Sequence, residues 1–526
     1  MIRKLLCLFL VVRLTRAANI LGLMGVPVPS HFQFNSAILH GLARRGHNVT
    51  ILSVDLPKIK QDIPQNVHYI HLENVYNYMY QNKEGGDNLS IEDLIGKQGL
   101  SGINIFNKIC KKIGFGIQSS EGFQELLNYP NNFVFDVVLY DYTKGGPFLL
   151  GFLSKFNYPP LIGVTPFLNP PITTDLIGNY LFPGYIPHWV TDYDVIMTFT
   201  ERVHNTLIYL YDYLYRRYIL TPQADKMFRA FYPEDTPYLG DLEKRAVLTL
   251  VNSNPAINYP ESLPPNIIEV GGLQITDPQP LPGDIDNFIN SSKKGSIYFS
   301  FGTNIKSEHL KERRIQLFLN VMTTLPQYNF LWKIDLDHTK YHIPDNVLVR
   351  TFFPQRDILG HHNIKVFVTH SGGLGTQEAI WFGVPMIGMA LFIDQPRNLR
   401  KCVFDGIAAK LDYLTFTEET LRNTILNVTE DGSLTQNMKE RSTLFRDQPM
   451  KPLDRAIWWV EYVLRNPKPD HFRSPSINMN FLTSRSLDIL GFFIFVALFI
   501  VLISYRLFIS FWLLVSHSRK LKIKNN

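Results

Sequence analysis

Residues 367–379 read Phe367-Val368-Thr369-His370-Ser371-Gly372-Gly373-Leu374-Gly375-Thr376-Gln377-Glu378-Ala379. The apolar run before the glycines predicts a buried β-strand over 364–368, and the residues after them predict a helix that begins near Leu374. The glycines let the backbone turn tightly and bring its N–H groups close to a ligand. Because a helix N-terminus adds about half a positive charge, we expect this turn to bind a phosphate group.

Two common phosphate-binding loops do not fit this turn. A Walker loop ends in Gly-Lys-Ser/Thr, and the stretch contains no lysine. The dinucleotide fingerprint requires a glycine at the position that Glu378 occupies. A glutamate on the first turns of the helix suits the two hydroxyls of a ribose. The stretch therefore favours a nucleoside diphosphate, with an ordinary tight turn between strand and helix as the alternative.

A longer pattern extends this motif towards the C-terminus. It reads His370-x-Gly-x-x-Gly375-x-x-Glu378, then Gly383-Val384-Pro385, then Asp394-Gln395-x-x-Asn398. The pattern resembles the motif with which UDP-glycosyltransferases, including glucuronosyl- and glucosyltransferases, bind the UDP-sugar. The resemblance implies that His370, Gly372, Gly373 and Gly375 bind the diphosphate and that Glu378 binds the ribose. It also implies that Asp394 and Gln395 bind the transferred sugar, with Asn398 completing the motif.

Two upstream segments extend the resemblance. Phe352-Phe353-Pro354-Gln355 is similar to the family's Trp-x-Pro-Gln, in which the ring stacks on uracil and the glutamine binds the edge of the base. Phe352 replaces the tryptophan and offers a smaller ring for stacking. A strand predicted over 296–300 leads to Phe301-Gly302-Thr303, and the match to the family puts the Thr303 hydroxyl near the diphosphate.

The N-terminal half begins with a predicted βαβ unit. It has a strand over 20–24, a helix capped by Ser30 that runs from His31 to about Arg45, and a strand over 48–53. His31 follows the C-terminal end of the first strand, where doubly wound sheets bind ligands. A neutral imidazole at this place can accept a proton from a ligand. A lone histidine near a helix start is otherwise more often structural.

Asp141 offers His31 a partner. Residues 133–141 read as a buried strand that ends in this carboxylate. If both strands lie in one sheet, Asp141 can bond one imidazole nitrogen and stabilise the cation formed when the other nitrogen takes a proton. Pro29-Ser30-His31 and the segment from Asp136 to Asp141 resemble the family's catalytic histidine and its aspartate partner, which implies catalytic roles for His31 and Asp141. Asp136, at the start of the strand, is expected to be structural.

Alternating strands and helices in both halves predict an α/β protein with parallel sheets. The resemblance implies a GT-B-like fold, in which two Rossmann-like domains face a cleft. A stretch without clear periodicity, 77–107, is interpreted as a loop on the acceptor side. The expected divisions of the chain are an acceptor-binding domain over 18–270, a linker over 271–283, a UDP-sugar-binding domain over 284–450 and a helix over 451–466 that returns to the first domain.

Both ends of the chain have membrane-targeting features. Residues 1–17 read as a secretory signal peptide, with a basic start, an apolar run and small residues for cleavage. Residues 489–515, interrupted by Arg506, predict one transmembrane helix. The lysine-rich tail over 516–526 predicts a cytosolic C-terminus and resembles a dilysine retrieval signal. Together they predict a single-pass type I protein of the endoplasmic reticulum membrane with luminal catalytic domains.

The charge pattern and the acidic triplets bear on partners and metals. The net charge is +6 over 526 residues, without a long basic run, so the sequence gives no indication of nucleic-acid binding. The Asp-x-Asp triplets at 192–194, 284–286 and 335–337 follow no convincing buried strand, and we expect no bound metal. No cofactor is expected either, because the UDP-sugar is a co-substrate. A homo-oligomer is left open.

The cysteines and the Asn-x-Ser/Thr triplets indicate which covalent modifications to expect. Removal of the signal peptide leaves Cys110 and Cys402, which are expected to be free thiols. Asn-x-Ser/Thr triplets predict N-glycosylation at Asn88, Asn290 and Asn427, in agreement with a luminal location.

An aromatic-rich region over 184–220 bears on the acceptor. It is interpreted as the lining of a pocket for an apolar acceptor or as a surface that lies against the membrane, with ordinary core as the alternative. The aromatic residues are Trp189, Tyr193, Phe199, Tyr209, Tyr211, Tyr213, Tyr215 and Tyr218.

These features predict an inverting transferase that moves a hexose from a UDP-sugar, by preference UDP-glucose, to a hydroxyl of a small lipophilic acceptor. His31 removes the acceptor proton, Asp141 supports the imidazolium, and helix amides with Thr303 and His370 meet the charge of the leaving diphosphate. Arg397 or Arg400 could bind the carboxylate of a glucuronate instead, although neither forces that choice.

Other classes of protein remain as alternatives. A non-catalytic binder of small apolar ligands on the same fold is the first, and a nicotinamide-dependent oxidoreductase is the second. A glycosidase is disfavoured, because no second carboxylate is placed to pair with Asp141.

Overall fold

Two parallel β-sheets organise the chain in the computed structural model, which describes residues 17–57, 63–80, 94–143, 146–303, 310–468 and 470–524. The predicted signal peptide, apart from Ala17, and the triplet at Asn88 lie outside these residues. Both sheets belong to one compact unit that ends at Arg473.

The first sheet contains seven strands. They are β1 Asn19–Met24, β2 Asn48–Ser53, β3 Val67–His71, β4 Val137–Asp141, β5 Leu161–Thr165, β6 Ala246–Val251 and β7 Ile267–Glu269. Their spatial order is β3-β2-β1-β4-β5-β6-β7, and every neighbouring pair is parallel. Strands β4, β5 and β6 are buried along their whole length, as expected where helices cover both faces of a parallel sheet.

The second sheet contains six strands. They are β8 Ser296–Ser300, β9 Asn329–Lys333, β10 Val347–Arg350, β11 Ile364–Thr369, β12 Met386–Gly388 and β13 Ala408–Lys410. Their order is β10-β9-β8-β11-β12-β13, again with all neighbours parallel. The order of the strands reverses between β8 and β11, and in the first sheet between β1 and β4. Ligands of doubly wound sheets bind outside the carboxyl ends of the strands at such reversals.

Helices connect the strands and cover the sheets. In chain order they are α1 Pro29–Arg44, α2 Val75–Tyr80, α3 Gly99–Gln118, α4 Glu121–Leu127, α5 Phe152–Lys155, α6 Thr173–Ile177, α7 Phe199–Tyr215, α8 Thr221–Phe228, α9 Leu239–Glu243, α10 Gly283–Asn290, α11 Glu312–Thr323, α12 Gln355–Leu359, α13 Gly373–Phe382, α14 Gln395–Phe404, α15 Glu418–Glu430, α16 Gly432–Arg446 and α17 Pro452–Arg465. Residues 270–282, between β7 and α10, form neither helix nor strand.

The last helix of this unit, α17, packs against α1. Ala456, Val460 and Val463 lie in the apolar cluster that also contains Phe34 and Ile38 of α1. The fit is close, because a Cβ atom added at Gly41 would lie 2.6 Å from Cδ1 of Ile457. The chain therefore returns from the second sheet to the helix that carries His31.

Two local expectations are wrong. Helix α1 begins at Pro29, and Ser30 does not cap it, because proline at the first helical position supplies a preset φ and lacks only an N–H that would be unpaired there. The stretch 77–107 is not simply a loop, since α2 covers its start and α3 begins at Gly99. Four glycines in α3 lower its helix propensity, but its buried apolar face compensates.

Residues 474–526 form a separate unit. It contains the short helix α18 Phe481–Ser484 and the long helix α19 Leu487–Lys524. The segment Leu487–Arg519 is long and apolar enough to cross a membrane, with a mean hydropathy of 2.8, and it includes the predicted span over 489–515.

Candidate functional site

His31 and Asp141 meet where the strand order of the first sheet reverses. His31 lies in the first turn of α1, directly after β1, and Asp141 is the last residue of the neighbouring strand β4. Nδ1–H of His31 donates a hydrogen bond of 2.9 Å to Oδ2 of Asp141, and both side chains are buried. This bond leaves Nε2 as the imidazole nitrogen that can take a proton from a ligand.

Asp141 is held by further donors that the sequence did not indicate. Asn35, one turn along α1, donates its amide to Oδ2 at 2.8 Å. Oδ1 accepts from the backbone N–H and the hydroxyl of Thr143, at 3.0 and 2.7 Å. Burial alone would raise the pKa of Asp141, but the interaction with His31 and the bonds from Thr143 bring it below its ordinary value. Asp141 is therefore an ionised, fixed partner for His31 at neutral pH.

A cavity of about 110 Å³ lies beside this pair and is lined by both halves of the chain. Thr143, which bonds Asp141, and Phe167, whose ring meets the His31 ring edge-on at 5.3 Å, belong to its wall. Gly373, Asp394 and Asn398 of the second half line it as well. The cavity thus lies between residues that contact the predicted catalytic pair and the end of the predicted sugar-binding motif.

The glycine-rich turn shapes the start of α13. Gly372 is the N-cap residue, and Ser371 before it has φ of 62°, a conformation that a non-glycine residue rarely adopts. An atom at the Cβ position of Gly373 would lie 3.8 Å from Oδ2 of Asp394 and 3.9 Å from Nδ2 of Asn398. The first N–H groups of α13 and the Asp394–Asn398 pair therefore converge on one place.

The imidazole of His370 lies between two glycines. A Cβ atom at Gly302 would be 2.7 Å from Cε1 of His370, and one at Gly372 would be 2.5 Å from Nε2. Burial, together with the nearby charge of Lys333, lowers the pKa of His370 to about 4. A neutral imidazole can donate one hydrogen bond to a phosphate oxygen and adds no charge to the site.

Gly302→Ala is expected to weaken binding of UDP and of the UDP-sugar by roughly 10- to 100-fold, the loss of one or two hydrogen bonds to charged groups. Alanine would be strained at the φ of 82° found at Gly302, and its methyl group would displace the His370 ring. Calorimetric titration with UDP measures the effect. Gly283→Ala is the matched control, since a Cβ there meets no atom within 4 Å. Equal affinity in the two variants would contradict a role for the His370 ring position.

Glu378 and Gln355 form a partly buried contact at the same turn. Nε2 of Gln355 donates to Oε2 of Glu378 at 2.6 Å, and burial raises the pKa of Glu378. Phe352, three residues before Gln355, is 62% exposed, so its ring is accessible for stacking. Thr303 is also exposed, three residues after the end of β8.

The residues predicted to bind the transferred sugar lie in different environments. Nδ2 of Asn398 donates to Oδ2 of Asp394 at 2.7 Å and to the carbonyl oxygen of Ser371 at 3.2 Å. Gln395 is buried, and its Oε1 accepts from the backbone N–H groups of Leu391 and Phe392. Asp394 lines the cavity, whereas Gln395 stabilises the loop before α14, so a bond from Gln395 to the sugar remains a prediction.

Gln377 is a further residue that sequence reasoning missed. It is buried in α13, and its Oε1 accepts from the backbone N–H of Gly272 at 3.1 Å. Its Nε2 donates to the carbonyl oxygen of Asn252 at 3.0 Å. Gln377 therefore connects the helix behind the glycine-rich turn to the first half of the chain.

The remaining predicted residues divide between the cavity and the surface. Trp189 and Tyr213 of the aromatic-rich region line the cavity, while Phe199 and Tyr218 are 71% and 67% exposed. Cys110 and Cys402 form no disulfide bond within the described part of the chain, and both are buried in the cavity wall. Asn290 and Asn427 are exposed.

Comparisons with known proteins identify the family of this chain. The family model described as "UDP-glucoronosyl and UDP-glucosyl transferase" matches residues 26–521. UDP-glucosyltransferase 2 of Dactylopius coccus is 32% identical over 506 residues, which cover 93% of this chain and 92% of the relative. UDP-glucuronosyltransferase 2B33 of Macaca mulatta is 30% identical over 519 residues, which cover 93% of each chain.

The similarity to solved structures concerns the fold. The structure of CalG4, the calicheamicin glycosyltransferase, superposes with a TM-score of 0.55 at 16% identity and covers 86% of this chain and 100% of that one. This chain therefore belongs to the UDP-glucuronosyl and UDP-glucosyl transferase family and is a glycosyltransferase of GT-B fold that takes its sugar from a UDP-sugar.

Proposed function

We propose that this enzyme transfers glucose from UDP-glucose to a hydroxyl of a small lipophilic acceptor, with inversion at the anomeric carbon. The observation that carries this proposal is the buried His31–Asp141 pair beside a cavity whose other wall contains Gly373, Asp394 and Asn398. The acceptor occupies the part of the cavity walled by aromatic, proline and aliphatic side chains, including Phe167.

The reaction is a single in-line displacement. The acceptor oxygen attacks C1 of the sugar while its proton passes to Nε2 of His31. The bond between C1 and the phosphate oxygen breaks, and UDP leaves with the electron pair. Asp141, bonded to Nδ1–H, stabilises the imidazolium that forms. Because UDP-glucose is an α-glycoside, one displacement yields a β-glucoside.

The second half of the chain binds the UDP-sugar and stabilises the leaving group. The N–H groups at the start of α13, the N–H of His370 and the Thr303 hydroxyl meet the charge on the diphosphate. Phe352 stacks on uracil, Gln355 bonds its edge, and Glu378 accepts from the ribose hydroxyls. Asp394 and Gln395 bind the glucose hydroxyls, and Asn398 positions Asp394 through its hydrogen bond. As proposed, the reaction uses no metal ion and no bound cofactor.

Glucose is preferred over glucuronate because nothing in the described part of the chain requires a charged sugar, and Arg397, three residues after Asp394, packs against Tyr259 of the first half. The test supplies UDP-glucose, UDP-galactose and UDP-glucuronate together with a panel of phenols. Mass spectrometry identifies the sugar transferred, and the proton coupling at C1 gives the anomer. A β-glucoside supports the proposal. A glucuronide or an α-linked product refutes the corresponding part, and no UDP release with any phenol favours a non-catalytic binder.

We also place the enzyme in the endoplasmic reticulum membrane as a single-pass type I protein with a luminal transferase unit. Helix α19 supplies a segment able to cross the membrane, and Asn290 and Asn427 are exposed on the transferase unit. Expression in cells should give a protein whose mass falls on endoglycosidase treatment. Substitution of both asparagines by glutamine should reduce that fall. Unglycosylated protein, with the tail accessible from the lumen, would contradict this orientation.

A further inference from the structure

Arg397 is buried in the wall of the cavity with unused hydrogen-bonding capacity. It lies in the first turn of α14 and is 4% exposed. Among the described residues, its Nε and Nη2 atoms have no hydrogen-bond partner. Its guanidinium lies 5.2 Å from the centre of the Tyr259 ring, a cation–π contact that uses none of its N–H donors in a hydrogen bond.

Arg397 differs from the other basic residues of the cavity wall. Arg216 is paired with Asp175 and Glu243, and Lys401 is paired with Asp405. No described carboxylate lies within ion-pair distance of Arg397. Glu261 is near enough to interact electrostatically, but its Oε2 accepts from Asn169. Arg397 is thus the cation that an incoming ligand can use.

A buried guanidinium without a carboxylate at ion-pair distance is costly, because its interaction with Glu261 replaces only part of the hydration that it loses. Arginine also presents its donors in a planar fork that matches a carboxylate. The rest of the cavity wall is mainly apolar, so an anionic group entering there finds one complementary partner. We propose that Arg397 binds a carboxylate of the acceptor, so that the enzyme prefers hydroxylated carboxylic acids with an apolar body, an assignment that rests on the transferase function proposed above.

The surroundings of Arg397 favour the acceptor over the sugar as the source of the carboxylate. Arg397 faces Tyr259, which belongs to the first half of the chain, between β6 and β7. Burial lowers the pKa of His188, also of the first half, and the charge of Arg397 acts in the same direction. Asp394 and Asn398, by contrast, converge on Gly373 at the start of α13. Arg397 therefore extends from the sugar-binding helix into the acceptor side of the cavity.

The test compares acids with their methyl esters as acceptors. Full-length enzyme is assayed with UDP-glucose and 4-hydroxybenzoic, 4-hydroxycinnamic and 12-hydroxydodecanoic acids, each beside its ester. For at least one pair, kcat/KM for glucosylation of the hydroxyl should be roughly 10- to 100-fold higher for the acid. Arg397→Gln should abolish this preference, and Arg397→Lys should restore part of it. Arg400→Gln is the matched control, because Arg400 lies on the same helix but pairs with Asp194 at 3.4 Å.

Binding without UDP-glucose separates this inference from the proposed function. The acid should raise the Tm of the wild-type protein more than the ester does, and Arg397→Gln should remove the difference. If no pair supports UDP release but this selective shift persists, the carboxylate site stands and the transferase proposal fails. Efficient transfer with no acid preference in any pair would overturn the inference. The inference would also be overturned if Arg397→Gln kept the preference for acid acceptors but changed the preference between UDP-glucose and UDP-glucuronate, because Arg397 would then bind the sugar.

The Tm of the ligand-free variant adds a structural readout. Removal of a buried charge that has no carboxylate at ion-pair distance should leave the Tm of Arg397→Gln equal to or above that of the wild type. A lower Tm with an unchanged acid preference would show a purely structural arginine and would overturn the inference.

Discussion

His31→Ala should lower kcat for glucosyl transfer by about 10²- to 10⁴-fold, the range that a positioned general base supplies. The variant has no imidazole to take the acceptor proton, and Asp141 is a poor replacement, because a carboxylate is a weaker base and this one still accepts from Asn35 and Thr143. KM for UDP-glucose should change little, because the residues proposed to bind UDP lie in the second half of the chain. Steady-state kinetics with a phenol acceptor measures both quantities.

His40→Ala is the matched control for this variant. His40 lies on the same helix, and its Nε2 is 2.7 Å from the Tyr69 hydroxyl, away from Asp141. This substitution removes an imidazole from α1 without touching the cavity, so activity should be retained. Equal activity of His31→Ala and wild type would exclude His31 as the base, whereas equal loss in both variants would indicate a general effect on α1.

Strands at the centre of each sheet were predictable because they are buried on both faces, whereas edge strands such as β3 and β10 are partly exposed and were not predicted. The buried strands appear in the sequence as short apolar runs, and the expected strand over 296–300 coincides with β8. The run before His370 likewise corresponds to β11. Similar runs over 20–24 and 133–141 predicted the strands that precede His31 and end at Asp141. Both residues were expected at one edge of the sheet, because the carboxyl ends of parallel strands lie together there.

The environment of each site residue was less predictable. Asn35 and Thr143 both bond Asp141, but nothing in their local sequence distinguishes them from ordinary polar residues of a helix and a loop. Gln377 gave no signal either, since its partners lie more than 100 positions away. The isolation of Arg397 depends on which carboxylates are already paired with other residues. These pairings are contacts between residues far apart in the sequence, so they can be identified only in the folded structure.

Asp141→Asn should lower kcat by about 10⁴-fold while the protein stays folded, by analogy with triads whose aspartate orients the imidazole. Asparagine can keep its oxygen towards Thr143 and turn its amide towards His31. The Oδ1 atom of Asn35 has no hydrogen-bond partner among the described residues, so a flip of the Asn35 amide can accept from the new group. His31 must then accept at Nδ1 and carry its proton on Nε2. In that tautomer it cannot take the proton of the acceptor.

Asp136→Asn is the control, since Asp136 lies before β4 and accepts from the backbone N–H of Asn19 at 2.8 Å. It should retain activity. Retained activity in Asp141→Asn would contradict the orienting role of the carboxylate, and the double variant with His31→Ala should be no slower than His31→Ala alone if the two residues act as a unit.

The pH dependence of stability gives an independent test of Asp141. Its folded-state pKa lies below the ordinary value of 3.8, so the ionised carboxylate stabilises the folded protein above that pH. This contribution is lost as the pH falls through the lowered folded-state pKa. Asparagine does not titrate, so at pH 7 the free energy of unfolding should be higher for the wild type than for Asp141→Asn. This difference should decrease below about pH 3.8. A constant difference down to pH 2 would mean that the carboxylate does not gain stability from its ionised form, and His31 would then lack the anionic partner on which its role as base depends.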